Sequence, residues 1–73
     1  MDLNVGDQVF LKDPLPYLKT ADSIPVLRPP ELVPPDEPGQ IVEIRARGLF
    51  CVRFRRGTFL IPDDRLKTRI EEQ

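Results

Sequence analysis

The 73-residue chain contains no histidine, no tryptophan and a single cysteine, Cys51. One cysteine has no partner for an internal disulfide, and the usual zinc sites of cysteine and histidine cannot be assembled. Nucleophilic catalysis needs a base beside the nucleophile, and that base is usually histidine. The sequence therefore predicts a protein that is not an enzyme and that holds no metal ion and no cofactor.

Long apolar runs are also missing. No stretch approaches the ~18 apolar residues that a membrane span requires, and the first residues lack the basic and apolar regions of a signal peptide. These absences, together with the lone thiol, predict a soluble, cytoplasmic protein. A chain of this length has room for one small domain, so we predict a monomer with a single domain over residues 1–73.

The clearest strand pattern lies in residues 48–61, GLFCVRFRRGTFLI. Apolar residues recur with the two-residue period of a strand that has one buried face: Phe50, Val52, Phe54, Phe59 and Ile61. Between the two runs lies Arg56-Gly57, where the glycine supplies the positive φ of a hairpin turn. The pattern predicts two antiparallel strands that contribute most of the core.

Three further strands are predicted around this hairpin. One runs over residues 4–12, with Val9 and Leu11 on one side and Phe10 on the other. Another runs over residues 39–45, with its inward side chains expected at Val42 and Ile44. A 3₁₀ turn at residues 62–65, capped by Asp63 or Asp64, then leads into a closing strand over residues 66–70 and a frayed tail over 71–73.

Proline dominates the segment between the first two strands. Residues 13–38 hold eight of the nine prolines, which disfavour any regular element apart from a short helical turn at residues 17–21. The segment is nevertheless too apolar to remain in water, so we predict an ordered loop over residues 14–38 laid across the sheet. Five strands with one long early loop predict an all-β, SH3-like barrel. A five-stranded OB-type barrel is the alternative, but no helix is evident where that fold requires one.

Charge is distributed unevenly along the chain. Residues 1–43 carry a net charge of −5 and residues 44–70 a net charge of +6. A dipolar surface suits a specific protein partner better than indiscriminate nucleic-acid binding. The alternative is that arginine and lysine merely occupy the outward faces of strands.

Two short runs carry a resemblance to a known family. The sequence reads LKTAD at residues 18–22 and LRPP at residues 27–30, with GDQVFL upstream and VRFRRGTFLIPDDRL downstream. Over residues 6–66 the chain resembles the SipA family of small cyanobacterial and plastid proteins. That resemblance implies an SH3-like adaptor that binds a sensor histidine kinase, the membrane-associated kinase NblS for the founding member, and that modulates stress and high-light signalling.

The predicted partner-binding residues combine the loop with one strand: Tyr17, Lys19, Leu27, Arg28, Pro30, Arg53 and Arg55. Tyr17, Leu27 and Pro30 are expected to wall a groove whose floor comes from Phe10 and Leu60. The alternative is that these residues only anchor the loop on the sheet and bind no partner.

Two other functions remain open. Five arginines are candidates for an RNA-binding face, although a pI of about 5.3 and few aromatic residues argue against it: Arg45, Arg47, Arg53, Arg55 and Arg56. The other candidate function is that of an accessory subunit of a photosynthetic electron-transfer complex.

Cys51 lies on the same predicted strand face as Arg53 and Arg55. Neighbouring cations lower the pKa of a thiol and make it reactive. The alternative, which we favour, is a small apolar side chain that fills space beneath the long loop. Asp63 and Asp64 are interpreted as turn residues because a hard cation needs several converging oxygens.

Overall fold

The computed structural model describes residues 3–68, and these form a seven-stranded antiparallel sheet with two 3₁₀ helices and no α-helix. The strands are β1 Gln8–Leu11, β2 Leu18–Thr20, β3 Leu27–Arg28, β4 Gly39–Ala46, β5 Leu49–Phe54, β6 Gly57–Pro62 and β7 Leu66–Lys67. The 3₁₀ helices span Pro30–Leu32 and Asp63–Arg65. The predicted all-β class is confirmed, and the predicted number of five strands is wrong.

The strands lie in the order β3-β2-β6-β5-β4-β1-β7. The sheet is curled, as the contact between Arg45 of β4 and the end of β2 shows: Arg45 Nη2 donates to the carbonyl oxygen of Ala21 at 3.4 Å. β2 and β4 are separated in the sheet by β6 and β5, so this contact crosses the curl. The seven strands thus form a curled half-barrel.

The two additional strands come from the proline-rich segment. β2 pairs with both β3 and β6, and the β2–β3 hairpin is tied by Thr20, whose amide donates to Val26 O at 2.9 Å and whose Oγ1 accepts from Val26 N at 2.8 Å. The expectation of no regular element here is wrong because the prolines flank the strands and do not interrupt them. The expected helical turn at residues 17–21 is also wrong, since those residues include β2.

The inward side chains of β4 differ from the prediction. Ile41 is fully buried, whereas Val42 and Ile44 are exposed. The pairing of β4 with β5 shifts register between Ile41 and Glu43, and again between Ile44 and Ala46. Each shift marks a β-bulge, which places two residues opposite one and changes which side chain faces the core. A strict two-residue alternation therefore fails along this strand.

One apolar cluster forms the core. The predicted inward residues of β5 and β6 are all buried, and the rings of Phe54 and Phe59 pack with centroids 6.4 Å apart. From the proline-rich segment, Leu18 and Val33 are buried in the same cluster and Leu15 and Leu32 pack against it.

Tight turns join the core strands. Gly57 begins β6 with φ of +148°, in agreement with the predicted glycine at that turn. The predicted 3₁₀ turn is present at Asp63–Arg65, but no aspartate side chain caps it; instead the amide of Asp63 donates to Gly48 O at 2.8 Å. The predicted extension of the last strand past Thr68 and the tail 71–73 lie outside the described residues. No helix within residues 3–68 is long and apolar enough to cross a membrane.

Candidate functional site

An apolar groove lies on the outer face of the sheet, between the segment that precedes β2 and the strands β5 and β6. It encloses about 280 Å³. Its lining comprises Leu15, Pro16, Tyr17, Lys19, Leu49, Leu60, Pro62 and Arg65, and we call it the Tyr17 groove. Leu60 stands directly opposite Lys19 in the pairing of β6 with β2, which fixes the floor of the groove relative to its wall.

The polar groups of the Tyr17 groove all have protons to donate. Lys19 and Arg65 contribute a cationic ammonium and guanidinium, and Tyr17 contributes a phenolic hydroxyl. No acidic residue is among the lining residues, although Asp64 approaches Arg65 at its outer side, with Oδ1 4.0 Å from Nε. The groove therefore combines apolar walls with a positively charged edge.

A second apolar feature is the turn of the β2–β3 hairpin. Ile24 at the tip is 82% exposed and Leu27 on the edge strand is 61% exposed, and Val26 between them is also exposed. Val26 shares a concavity with Val42 of β4, which one of the β-bulges turns outward. We call Ile24, Val26, Leu27 and Val42 the hairpin patch.

The hairpin patch and the Tyr17 groove are neighbours. Leu27 of β3 pairs directly with Lys19 of β2, and Lys19 in turn lines the groove. The edge strand β3 has only two residues and is bracketed by Pro25 and Pro29, which lack the N–H that an added strand would need. A partner that binds this side of the molecule would therefore contact side chains more than free backbone groups of an edge strand.

Cys51 lies in the concavity beside the hairpin patch, under Glu43 and Arg45. The thiol is buried, and its Sγ donates to Glu43 Oε1 at 3.5 Å, while Arg45 Nη2 donates to the same oxygen at 3.2 Å. Burial, followed by the hydrogen bond to Glu43, raises the pKa of Cys51 above its ordinary value, and Arg45 opposes this only in part. The less favoured interpretation, in which Arg53 and Arg55 lower this pKa, is wrong, because the pKa is raised and the neighbouring cation is Arg45.

Arg53 and Arg55 lie in a different concavity, beside Gln40 and Glu37. Arg53 Nη2 donates to Gln40 Oε1 at 3.0 Å, and the backbone amide of Arg55 donates to Glu37 Oε2 at 2.9 Å. β2 lies between β3 and β6, so β5, which holds Arg53 and ends just before Arg55, is not adjacent to the β2–β3 hairpin.

The structure brings together only part of the predicted partner-binding set. Tyr17 and Lys19 line one groove, and Leu27 pairs with Lys19. Arg28 faces the concavity that holds Arg45 and Arg56. Pro30 begins the first 3₁₀ helix and lines a separate shallow pocket with Pro14 and Val33. The predicted groove thus keeps Tyr17 and Leu60, whereas Leu27, Pro30 and Phe10 do not line it.

Several residues of these surfaces were missed by sequence reasoning. The groove includes Pro62 and Arg65 from the far end of the chain, and nothing in the local sequence indicates that this turn faces Pro16. For Ile24 and Val26 the sequence did contain an indication of exposure, since both are apolar residues in a segment rich in turns. Within residues 3–68 no group of three or more cysteine or acidic side chains is placed to hold a metal ion.

By class, the part of the chain that the structure describes is a small all-β domain that carries an apolar groove and an exposed apolar patch. The family model described as Protein CHLORORESPIRATORY REDUCTION 42-like matches residues 5–66, and the chain belongs to this CRR42-like family. No curated protein and no solved structure matches the chain.

The family match overturns the resemblance to the SipA family. The runs LKTAD and LRPP, which carried that resemblance, form β2, β3 and the flanks of their hairpin. Thr20 bonds the hairpin turn through its hydroxyl and the prolines bracket the edge strand, so these residues serve local structure. Short runs under such constraints say little about which family a chain belongs to.

Proposed function

We propose that this chain is a non-enzymatic accessory factor that binds a protein partner through its hairpin patch. The observation that carries the proposal is the exposure of Ile24, Val26 and Leu27 on one hairpin. Exposed apolar side chains mark interaction sites when they cluster, whereas single ones scattered over the surface are ordinary. Leu27 lies in β3 and Val26 is hydrogen-bonded to Thr20, so the backbone that carries these two side chains is already ordered, which limits the conformational entropy lost on binding.

The partner that we propose is a component of a photosynthetic electron-transfer complex. The description of the family refers to chlororespiratory reduction, and this wording supports the electron-transfer alternative raised by the sequence. Binding to a sensor histidine kinase was implied only by the SipA resemblance, so it stays an untested prediction with no observation in its favour. Cytoplasmic location and a monomeric state likewise stay predictions.

The fold family that we propose is the SH3-like barrel. The five strands predicted from the sequence correspond to β1, β4, β5, β6 and β7, which are contiguous in the sheet in the order β6-β5-β4-β1-β7. A long connection after the first strand and a 3₁₀ turn before the last support this assignment. On this assignment, β2 and β3 form an additional hairpin within the first loop, and this hairpin carries the hairpin patch.

RNA binding receives less support. The arginines fall into separate concavities, with Arg53 and Arg55 in one and Arg28, Arg45 and Arg56 in another. Arg45 is already paired with Glu43, and Arg53 donates to Gln40. An RNA-binding face needs cations along one continuous track with aromatic platforms for the bases.

The experiment compares recovery of the partner with wild-type protein and with the double variant Ile24→Asp, Leu27→Asp. Each tagged protein is expressed in cells of the organism of origin, and the subunits that co-purify with it are quantified by mass spectrometry. Two buried charges in an interface core oppose binding strongly, so we expect recovery of electron-transfer subunits to fall at least about tenfold.

The matched control is Val5→Asp. Val5 is 58% exposed, comparable to Leu27, but it precedes β1 and lies outside the hairpin patch. Recovery with this variant should equal that of the wild type. The proposal is contradicted if the hairpin variant retains full recovery, if both variants lose it equally, or if a histidine kinase is recovered in place of electron-transfer subunits.

A further inference from the structure

We propose that the Tyr17 groove binds an extended, acidic, proline-containing segment of a partner protein. The inference rests on the proposed function, because it assumes that the chain acts by binding a protein. It adds a second contact site, next to the hairpin patch and continuous with it through the Leu27–Lys19 pair.

The charge of the ligand follows from the edge of the groove. Lys19, Arg65 and Tyr17 present donors and two full positive charges, and none of the lining residues is acidic. Asp64 offsets Arg65 only weakly, since the closest approach is 4.0 Å and both side chains are at least half exposed. An acceptor-rich ligand with carboxylates complements this edge, whereas a basic ligand is repelled.

The conformation of the ligand follows from the backbone of the groove. Pro16 and Pro62 have no N–H to donate, and the paired residues of β6 are already bonded on both sides, to β5 and to β2. At these positions the groove offers no ladder of hydrogen bonds to an added strand. A ligand that is held only by its side chains is expected to adopt the polyproline II conformation, which has no internal hydrogen bonds. A segment in this conformation loses little conformational entropy when it binds aromatic and proline surfaces.

The size of the groove fits side chains of such a segment. Small-molecule sites enclose about 300–1,000 Å³, so 280 Å³ lies at or below their lower limit. The apolar floor of Leu49 and Leu60 suits one or two aliphatic or proline side chains, with carboxylates reaching Lys19 and Arg65.

The chain contains a run of similar composition, residues 29–38, PPELVPPDEP. This run is not free to occupy the groove of a second copy, because Val33 is buried in the core and Leu32 packs against it. The ligand is accordingly a segment of a different protein.

Tyr17 makes the groove directly observable. It is the single tyrosine of a chain without tryptophan, so intrinsic tyrosine fluorescence reports on this site alone. The probe is a blocked ten-residue peptide of leucine, proline and glutamate, and the controls are the same peptide with lysine for glutamate and a short single-stranded RNA. We expect a saturable change with the glutamate peptide that weakens as salt is raised, and no change with the lysine peptide.

Charge reversal at the groove edge supplies the specificity test. In the double variant Lys19→Glu, Arg65→Glu, two attractive pairs become repulsive, and the affinity for the glutamate peptide should fall by about tenfold or more. The matched control is Arg55→Glu, which reverses an exposed arginine in the concavity beside Glu37 and should leave the affinity unchanged.

Four outcomes overturn the inference. They are no response to the glutamate peptide, an equal response to the lysine peptide, a response to RNA alone, and a Tyr17 signal that depends on protein concentration without peptide, which would assign the groove to a second copy. Failure here is distinguishable from failure of the proposed function, since the latter is measured by partner recovery with the hairpin variant, whose groove residues are intact.

Discussion

Residues 39–66 and residues 13–38 contribute to the same sheet but are held in it differently. The strands of the first region are joined by tight turns, and β5 pairs with β6 at six consecutive positions. In the second region β2 and β3 pair at only two positions each with their neighbours, and the segment is anchored in the core by Leu18 and Val33. We call residues 39–66 the scaffold and residues 13–38 the attached segment.

The two regions also differ in what they expose. Of the seven large apolar side chains that are exposed among residues 3–68, four belong to the proline-rich segment: Tyr17, Ile24, Val26 and Leu27. The scaffold exposes Val42 and Ile44, both next to β-bulges in β4. Exposed apolar side chains are thus concentrated in the proline-rich segment, and two of those in the scaffold lie where β-bulges interrupt the pairing of β4. This division supports a binding role for the attached segment.

The largest expected effect comes from the scaffold. Phe54→Ala removes a buried ring that packs against Phe59 and against the backbone of Gly39, where an added Cβ would lie 2.5 Å from the ring. Loss of a buried phenylalanine costs about 3–5 kcal/mol, which equals the stability that a single core of this size ordinarily supplies. Urea denaturation followed by circular dichroism should show a largely unfolded variant. A variant that unfolds at the wild-type urea concentration would contradict the role of this hairpin as scaffold.

A smaller effect is expected in the attached segment. Leu18→Ala removes a fully buried side chain from β2, and such changes cost about 2–5 kcal/mol. We expect the lower end, near 2 kcal/mol, because a segment with few pairings relaxes around the cavity more easily than the scaffold does. The same denaturation experiment measures it, and a cost equal to that of Phe54→Ala would remove the distinction between the two regions.

The smallest effect concerns Cys51, where the scaffold and the attached segment meet. Its folded pKa is raised above that of the unfolded chain, so its contribution to stability is fully present below the ordinary thiol pKa of about 8.5 and is lost as the pH rises through the folded pKa. The difference in unfolding free energy between wild type and Cys51→Ala should therefore shift against the wild type between about pH 7 and about pH 10. A shift in favour of the wild type would mean that Arg45 stabilises the thiolate.

Sequence reasoning worked where local pattern and tertiary packing agree. The inward set of β5 and β6 follows from strict alternation, and the turn at Gly57 follows from the backbone freedom of glycine. It failed on β4, because a β-bulge inserts one residue and leaves no composition signal, so that Val42 and Ile44 were assigned to the core in place of Ile41.

The site was harder to predict than the fold. The proline content of residues 13–38 indicates an unusual segment, but strands of two or three residues between prolines cannot be recognised from the average composition of the segment. The groove that was predicted from the sequence included Tyr17 and Leu60, whereas Pro62 and Arg65 line it only because the last turn folds back on the first loop. Arg53 was predicted to lie on a strand that adjoins the loop carrying Arg28, but the sheet order separates β5 from β2 and β3.

The most direct test of the account is amide hydrogen exchange of the protein alone and in its purified partner complex. Exchange at the hairpin and before β2 should slow on binding, over residues 15–28, because these amides lie at the proposed contact surface and belong to the least densely paired part of the sheet. Exchange in residues 53–57 should stay unchanged. Protection confined to residues 53–57 and 36–40, around Arg53 and Arg55, would contradict the account and would place the partner on the opposite concavity.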